Sequence, residues 1–173
     1  MKKLTSLLLL LLLTFSVAYG RGWVGGYRVS LSGYMSDSIS KQEHLSVDLL
    51  YSPIINENMT LSLYGGYSFS NLFYPSVTQT LKGGLSFSFL LSQKHLLEPL
   101  FVRDTALFAT LDIGLMSALS SFSPTFITAS ISPFTLFFGD MFISMSSLLV
   151  TYEIGSREFS YGIKLFELTH YLW

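Results

Sequence analysis

The sequence predicts an all-β protein, namely an antiparallel up-and-down transmembrane β-barrel of eight strands. Apolar and polar residues alternate along successive short segments, as they do in a strand with one apolar face. Half of the residues are hydrophobic, whereas only 12% are charged, about half of the usual quarter for soluble domains. The sequence contains no cysteine, so no disulfide can stabilise the fold. A chain with so few charged residues is better suited to an outer surface that contacts lipid than to one that contacts water.

The first 20 residues have the three parts of a secretory signal peptide. They comprise a basic start at residues 1–3, an apolar run at 7–13 and small residues up to Gly20. The apolar run is shorter than the roughly 20 residues that span a bilayer. We therefore expect cleavage after Ala18 or Gly20 and a single mature domain at 21–173, with an uncleaved anchor as the alternative.

Four strands are expected in the first half of the mature domain. Along Met59 to Ser70 the apolar residues share one parity, and threonine and serine share the other. Leu81 to Ser92 repeats this pattern, and Tyr27 to Gly33 and Leu45 to Tyr51 alternate in the same way. The Asn-Glu-Asn sequence at 56–58 is typical of a tight turn and predicts a hairpin between the second and third strands.

Four more strands are expected in the second half, at Ala106–Met116, Thr125–Pro133, Met141–Glu153 and from Phe159 onwards. In the seventh strand the apolar parity changes near Ser146 and Ser147, which predicts a β-bulge. In the eighth strand Glu167 falls on the apolar parity. Either this carboxylate faces lipid, which is costly, or a second parity change at 165–166 turns it inward.

An even number of strands places both ends of the chain on the same side of the barrel. If that side is periplasmic, the connections around 35–44, 70–79, 117–124 and 154–157 lie outside the cell. The longest of them, Met35 to His44, carries Asp37, Lys41 and Glu43. These three charged residues are the candidate outer-loop contacts.

Aromatic residues concentrate near the predicted strand ends, where the amphipathic rings of tyrosine and tryptophan would form two interfacial girdles. The candidates are Trp23, Tyr27, Tyr34, Tyr51, Tyr74, Tyr152, Tyr171 and Trp173.

Two other architectures compete with a membrane barrel. Residues 113–139 carry no charge and are long enough for a spanning helix. The segment contains Pro124, Pro133 and many serines and threonines, which a lipid-exposed helix could not all hide. The second alternative, a secreted soluble barrel or sandwich, conflicts with the low content of charged residues.

With a signal peptide, eight amphipathic strands and a chain ending in Tyr171-Leu172-Trp173, the sequence resembles small eight-stranded bacterial outer-membrane β-barrels. It is similar in size to the OmpX, OmpA-barrel and OmpW groups. The resemblance implies an integral location in the bacterial outer membrane and contact with membrane lipid. It also implies recognition by the outer-membrane assembly machinery through the last strand, which ends at Trp173.

The inward parity holds five charged residues among serines and threonines: Arg28, Asp48, Lys82, Asp112 and Lys164. An eight-stranded barrel has an interior just wide enough for side chains to fill it. We therefore expect these five residues to pair with one another as a polar plug. A narrow path for ions or small solutes is the alternative.

The sequence offers little support for catalysis. Its histidines, His44, His95 and His170, are far apart, which gives no metal site, and no cofactor is expected. Some eight-stranded outer-membrane barrels of this size modify lipid A with a histidine and a serine near the outer rim, and only His44 is placed for that role. Removal of Lys2 and Lys3 leaves 8 Lys+Arg against 11 Asp+Glu, a balance that argues against nucleic-acid binding.

The expected function is therefore non-enzymatic. The barrel would have a structural, adhesive or envelope-protective role, exerted through its outer loops. A narrow small-solute channel and a lipid-modifying outer-membrane enzyme are the alternatives.

Overall fold

The computed structural model is a closed antiparallel barrel of eight β-strands. It describes residues 24–34, 43–55, 58–70, 78–92, 105–118, 124–138 and 140–172. Each strand pairs with the next along the chain, and the last pairs with the first. The expected eight strands and their up-and-down order are therefore confirmed. The strands are β1 (Val24–Tyr34), β2 (Glu43–Ile55), β3 (Met59–Ser70), β4 (Thr78–Ser92), β5 (Thr105–Ala118), β6 (Pro124–Phe138), β7 (Met141–Glu153) and β8 (Phe159–Leu172).

Both termini of the barrel lie at one end, because Gly25 near the start of β1 pairs with Leu172 at the close of β8. We call this the terminal end, and the end where β1 leads into β2 the opposite end. The return of both termini to one end is the expected consequence of an even strand number.

Alternation along the strands separates the inside of the barrel from its outer face. Between β3 and β4, Thr60 pairs with Ser88 and Ser62 pairs with Ser86, and all four side chains are buried inside. Leu63, one residue further along β3, pairs with Leu85 on the outer face. Because the side-chain period of a strand is two, this register turns these serines and threonines inward and the two leucines outward.

The predicted bulge in β7 is present at Ser146 as a change of parity, but neither ladder of β7 shifts its register there, because β6 and β8 each carry an extra residue at the same level. Met145 pairs with Phe166 of β8 and Ser147 pairs with Lys164, so the ladder passes over Ser146. Ser146 has a φ of 63°, in the left-handed region. The extra residue lets Met145 and Leu148 both lie on the outer face, which accounts for the parity change in the sequence.

A second bulge, at Leu165 in β8, determines the direction of Glu167. Leu31 of β1 pairs with Phe166, and the next residue of β1, Ser32, pairs with Lys164. Leu165 is therefore the extra residue and lies exposed on the outer face, while Glu167 points inward and is only 5% exposed. The structure thus has the second parity change rather than a carboxylate on the outer face.

Strand β6 continues to Phe138, beyond the expected end at Pro133. The proline is accommodated by an irregularity in which Pro133 and Phe134 together face the single Ala109 of β5. Proline has no N–H to donate to a ladder, so a bulge is where a strand tolerates it.

Several predicted features fall outside the described residues. These are the signal peptide at 1–20, the loop residues Asp37 and Lys41, and Trp23, Tyr74, His95 and Trp173. Glu43 opens β2, with its backbone paired to Gly33. In the part of the chain that the structure describes, no helix is long and apolar enough to cross a membrane.

Candidate functional site

Six charged side chains from five strands meet in the middle of the barrel. All of them are on the inner face, and Asp48 is completely buried. We call this group the ionic cluster. It consists of Arg28 from β1, Asp48 from β2, Lys82 from β4, Asp112 from β5, and Lys164 and Glu167 from β8.

Arg28 is the centre of the ionic cluster. Its Nε donates to Asp48 Oδ2 at 3.0 Å, and its Nη1 donates to Asp112 Oδ1 at 3.0 Å. Glu167 Oε2 lies 3.8 Å from the same Nη1. A guanidinium group has five N–H donors in a fixed plane, so one arginine can join carboxylates from several directions. Arg28 thereby links β1 to β2, β5 and β8.

The two lysines complete the pairing. Lys82 Nζ lies 2.8 Å from Asp48 Oδ2. Lys164 Nζ donates to Asp112 Oδ2 at 2.8 Å and to Glu167 Oε2 at 2.6 Å. The ionic cluster contains three cations and three carboxylates, so its formal charge is zero. Such pairing is what makes buried charges tolerable, because an unpaired ion in a protein interior is strongly destabilising.

Tyr64 fills the interior beside the ionic cluster. The guanidinium carbon of Arg28 lies 4.1 Å from the centre of the Tyr64 ring, a cation–π contact. The Tyr64 hydroxyl occupies the space next to Gly84 and Gly114, and a Cβ on either glycine would collide with it. A Cβ would also meet backbone, namely the Ile113 carbonyl oxygen from Gly84 and the Gly83 carbonyl oxygen from Gly114. Glycine is therefore required at these two positions, where the ring and the neighbouring strands approach closely.

Aromatic side chains fill the barrel near its terminal end. Phe142 lies 5.1 Å from Phe108 and 5.6 Å from Tyr171, measured between ring centres, in edge-to-face arrangements. The Tyr171 hydroxyl is 2.9 Å from Ser62 Oγ. We call Phe108, Phe142 and Tyr171 the aromatic cluster. All three side chains are buried.

The prediction that Tyr171 belongs to an interfacial girdle was wrong, because its ring lies inside the barrel and is only 4% exposed. The bulge at Leu165 reverses the parity of the residues that follow it and turns Tyr171 inward together with Glu167. Tyr27, by contrast, is exposed on the outer face, where its ring lies 5.2 Å from that of His170.

Two cavities flank the ionic cluster. The outer cavity, on the side of the opposite end, has a volume of about 50 Å³ and is lined by cluster residues, His44 and several serines. The inner cavity has a volume of about 10 Å³ and lies between Glu167 and the aromatic residues Phe142 and Tyr171. A single water needs roughly 10–15 Å³, so the inner cavity holds one at most.

The structure brings all five charged residues of the expected lumen, Arg28, Asp48, Lys82, Asp112 and Lys164, into the ionic cluster. Sequence reasoning did not assign two further members of this interior. Glu167 was left undecided between the two faces. Tyr64 was overlooked, although it has the same parity as Ser62 and Ser68 and precedes two glycines, a signal that it points inward.

His44 lies inside the barrel rather than in a loop. It belongs to β2, where its backbone pairs with Ser32, and its side chain is buried in the wall of the outer cavity. Among the described residues no group of three or more potential ligands could hold a metal ion.

Comparison of the chain with protein-family models, curated proteins and solved structures gives no match.

Proposed function

We propose that this protein is an integral outer-membrane β-barrel with a closed interior and a non-enzymatic role. That role is structural, adhesive or envelope-protective, and the loops at the opposite end exert it. The observation that carries the proposal is the polarity of the barrel. Between its two ends, every charged side chain that the structure describes lies inside, while the outer face is apolar.

Large apolar side chains are exposed on the outer face of all eight strands. Soluble proteins rarely expose contiguous apolar patches larger than a few hundred Å², whereas lipid solvates such a surface. Examples are Tyr27 on β1, Leu49 on β2, Tyr67 on β3, Phe89 on β4, Ile113 on β5, Ile131 on β6, Leu148 on β7 and Leu165 on β8.

The dimensions of the barrel also suit a membrane. Its strands contain 11 to 15 residues, and a tilted strand needs about 9–11 residues to cross the hydrocarbon region. The sheet closes through pairing of β1 with β8, so it has no open edge. Closure matters because backbone N–H and C=O groups in lipid have no water with which to form hydrogen bonds.

Gel mobility tests the location and the fold together. Protein extracted from outer membranes should run at different positions in unheated and boiled samples, because a membrane barrel resists detergent until it is heated. Recovery in the soluble fraction, with no change in mobility on boiling, would contradict the proposal.

The paired interior supports a closed barrel over a channel. Its charges bind one another, and the aromatic cluster fills the terminal end. We expect planar bilayers containing the protein to show no discrete conductance. Conductance steps that change in Lys82→Ala or Asp112→Ala would establish the small-solute channel instead.

The position of His44 supports a non-enzymatic role over lipid modification. Its ring lies in the wall of the outer cavity, inside the barrel and away from the outer face that lipid would contact. Mass spectra of lipid A from cells with and without the protein should therefore agree. A difference that disappears in His44→Ala would establish a lipid-modifying enzyme.

The longest connection at the opposite end is the proposed contact surface. Replacement of residues 35–42 by a Gly-Ser segment of equal length removes Asp37 and Lys41 and keeps Glu43 at the start of β2. The variant should lose binding to a host cell or envelope partner and keep its heat-dependent mobility. Unchanged binding would exclude this loop as the contact surface.

A further inference from the structure

The outer cavity has the chemistry of an anion site. We propose that it binds one small oxyanion with the size and charge of phosphate or a carboxylate. This inference goes beyond the proposed function and does not depend on it, because the cavity is built from inward-facing side chains whatever surrounds the barrel.

The ionic cluster is neutral as a whole, but its positive members face the outer cavity. Among the described residues, Arg28, Lys82 and Lys164 line this cavity, together with a single carboxylate, Asp112. Of the other two carboxylates, Asp48 is completely buried and Glu167 lines the inner cavity. The outer cavity therefore has three cations and one anion in its wall, an imbalance that attracts negative charge.

Lys82 is the cation best placed to contact a ligand. Its side chain is 13% exposed, more than that of any other member of the ionic cluster. An ammonium group carries three N–H donors, and the ion pair with Asp48 needs only one of them. Lysine is also a common partner of phosphate groups.

Hydroxyl groups supply neutral donors in the same wall. Ser46 and Ser68, on neighbouring strands, both line the outer cavity with their Oγ atoms 3.5 Å apart. A serine hydroxyl can rotate so that it donates a hydrogen bond to an acceptor placed in the cavity. The cavity volume of about 50 Å³ is several times that needed by one water. The inner cavity, smaller and with the carboxylate of Glu167 in its wall, offers no such site.

Titration of the folded chain with inorganic phosphate tests the site. Amide shifts of the ¹⁵N-labelled protein in detergent micelles would be followed by NMR, with sodium chloride at equal ionic strength as the reference. We expect saturable shifts around the outer cavity with phosphate and none with chloride. Equal shifts with chloride, or none with phosphate and none with acetate, would overturn the site.

Two further titrations identify the source of the anion. Acetate tests whether a carboxylate is accepted, and glycerol 3-phosphate represents a lipid head group. Saturation by inorganic phosphate or acetate alone indicates a free anion, whereas equal affinity for glycerol 3-phosphate indicates the phosphate group of a larger molecule. Both results support an oxyanion site.

Variants locate the binding. Lys82→Gln should weaken phosphate binding at least tenfold, while Arg28 still pairs with Asp48. Ser46→Ala combined with Ser68→Ala retains every charge and should weaken binding several-fold. The matched control is Ser88→Ala with Thr110→Val, a hydroxyl pair 3.0 Å apart in the wall of the inner cavity, which should bind normally.

Unchanged affinity in Lys82→Gln would overturn the site. If that variant does not fold, unchanged affinity in the double serine variant would overturn it. Equal weakening in the control pair would do so as well, because the effect would then not belong to the outer cavity.

Discussion

Arg28 and Tyr64 together fill the centre of the barrel. The guanidinium carbon lies over the tyrosine ring, while the guanidinium N–H groups bond to carboxylates of β2 and β5. The ring in turn depends on glycines in β4 and β5. A change at one of these residues therefore alters the packing or the charge balance of several strands at once.

Asp112 should be among the most sensitive charged residues. Asp112→Ala leaves Arg28 with fewer partners and removes one of the two carboxylates that bind Lys164. Loss of one partner from a buried ion pair costs about 3–5 kcal/mol. We expect a decrease of this size in the free energy of unfolding, measured by denaturant titration in lipid vesicles.

The control for Asp112→Ala is Glu153→Ala, at the end of β7, where the carboxylate accepts an exposed hydrogen bond from Ser156. It should change stability by less than about 0.5 kcal/mol, as exposed substitutions do. Equal losses in the two variants would show that the ionic cluster has no special importance for stability.

Gly114→Ala should destabilise the barrel because its new methyl group would collide with the Tyr64 hydroxyl. We expect a loss of about 1–3 kcal/mol, typical of overpacking. Tyr64→Leu should recover part of that loss when combined with Gly114→Ala, as measured by a double-mutant cycle. Gly25→Ala is the control, since nothing lies within 4 Å of its Cβ position. Additive effects in the cycle would rule out the collision.

At the scale of residues, the sequence predicted well which charged side chains point inward. It did not predict which of them contact each other. Parity alone placed Arg28 and Asp48 on the inner face, because each strand alternates regularly around them. It could not predict that Arg28 reaches Asp112, 84 residues away, since that contact depends on how the barrel closes. Tyr64 was missed because the inner parity was assigned to charged residues, serines and threonines, and aromatic residues were considered only near the strand ends.

At the scale of elements, the two bulges of β7 and β8 lie opposite each other. The ladder passes over Ser146 in one strand and Leu165 in the other between the same two pairs. Residues three apart would normally point to opposite faces of a strand. Here Lys164 and Glu167 both point inward and form an ion pair. Ser144 and Ser147 do the same, with their Oγ atoms 3.1 Å apart.

The bulge at Ser146 should respond to backbone preference. An L-residue in the left-handed region costs about 1–2 kcal/mol, and glycine avoids most of that cost. We expect Ser146→Gly to raise the free energy of unfolding by about 1 kcal/mol. Ser146→Val should lower it, since a β-branched residue is a poor fit at positive φ. If the two variants unfold at the same denaturant concentration, the bulge does not limit stability.

The sequence predicted element number and order correctly because eight alternating segments are separated by recognisable turns. It placed the end of β6 at Pro133, five residues early, because a proline usually terminates a strand and only the pairing with β5 reveals the bulge that accommodates it. It located the bulge at Ser146 because serines interrupt an apolar parity there. The bulge at Leu165 stayed one of two alternatives, because Leu165 and Phe166 are both apolar and only Glu167 on the apolar parity indicated it.

At the scale of the whole molecule, the outer face distinguishes a lipid environment from water. Leu49 is 74% exposed and follows Asp48, so it lies level with the ionic cluster. If lipid surrounds the barrel, Leu49→Lys should lower its stability in vesicles by about 2–4 kcal/mol. Gln79→Lys, exposed near the start of β4, should have little effect. Equal stability of the two variants would argue that water contacts the outer face.

The pairing of β1 with β8 couples closure of the sheet to neutralisation of its charges. Arg28 stands on the first strand of the barrel, and Lys164 and Glu167 stand on the last. Until these strands meet, β8 cannot offer Glu167 to Arg28 or Lys164 to Asp112. An open sheet could keep the pairs Arg28–Asp48 and Lys164–Glu167 but would leave these ions without their other partners, and they would still need water around them. Dehydration of the interior and pairing of β1 with β8 must therefore occur as one cooperative step.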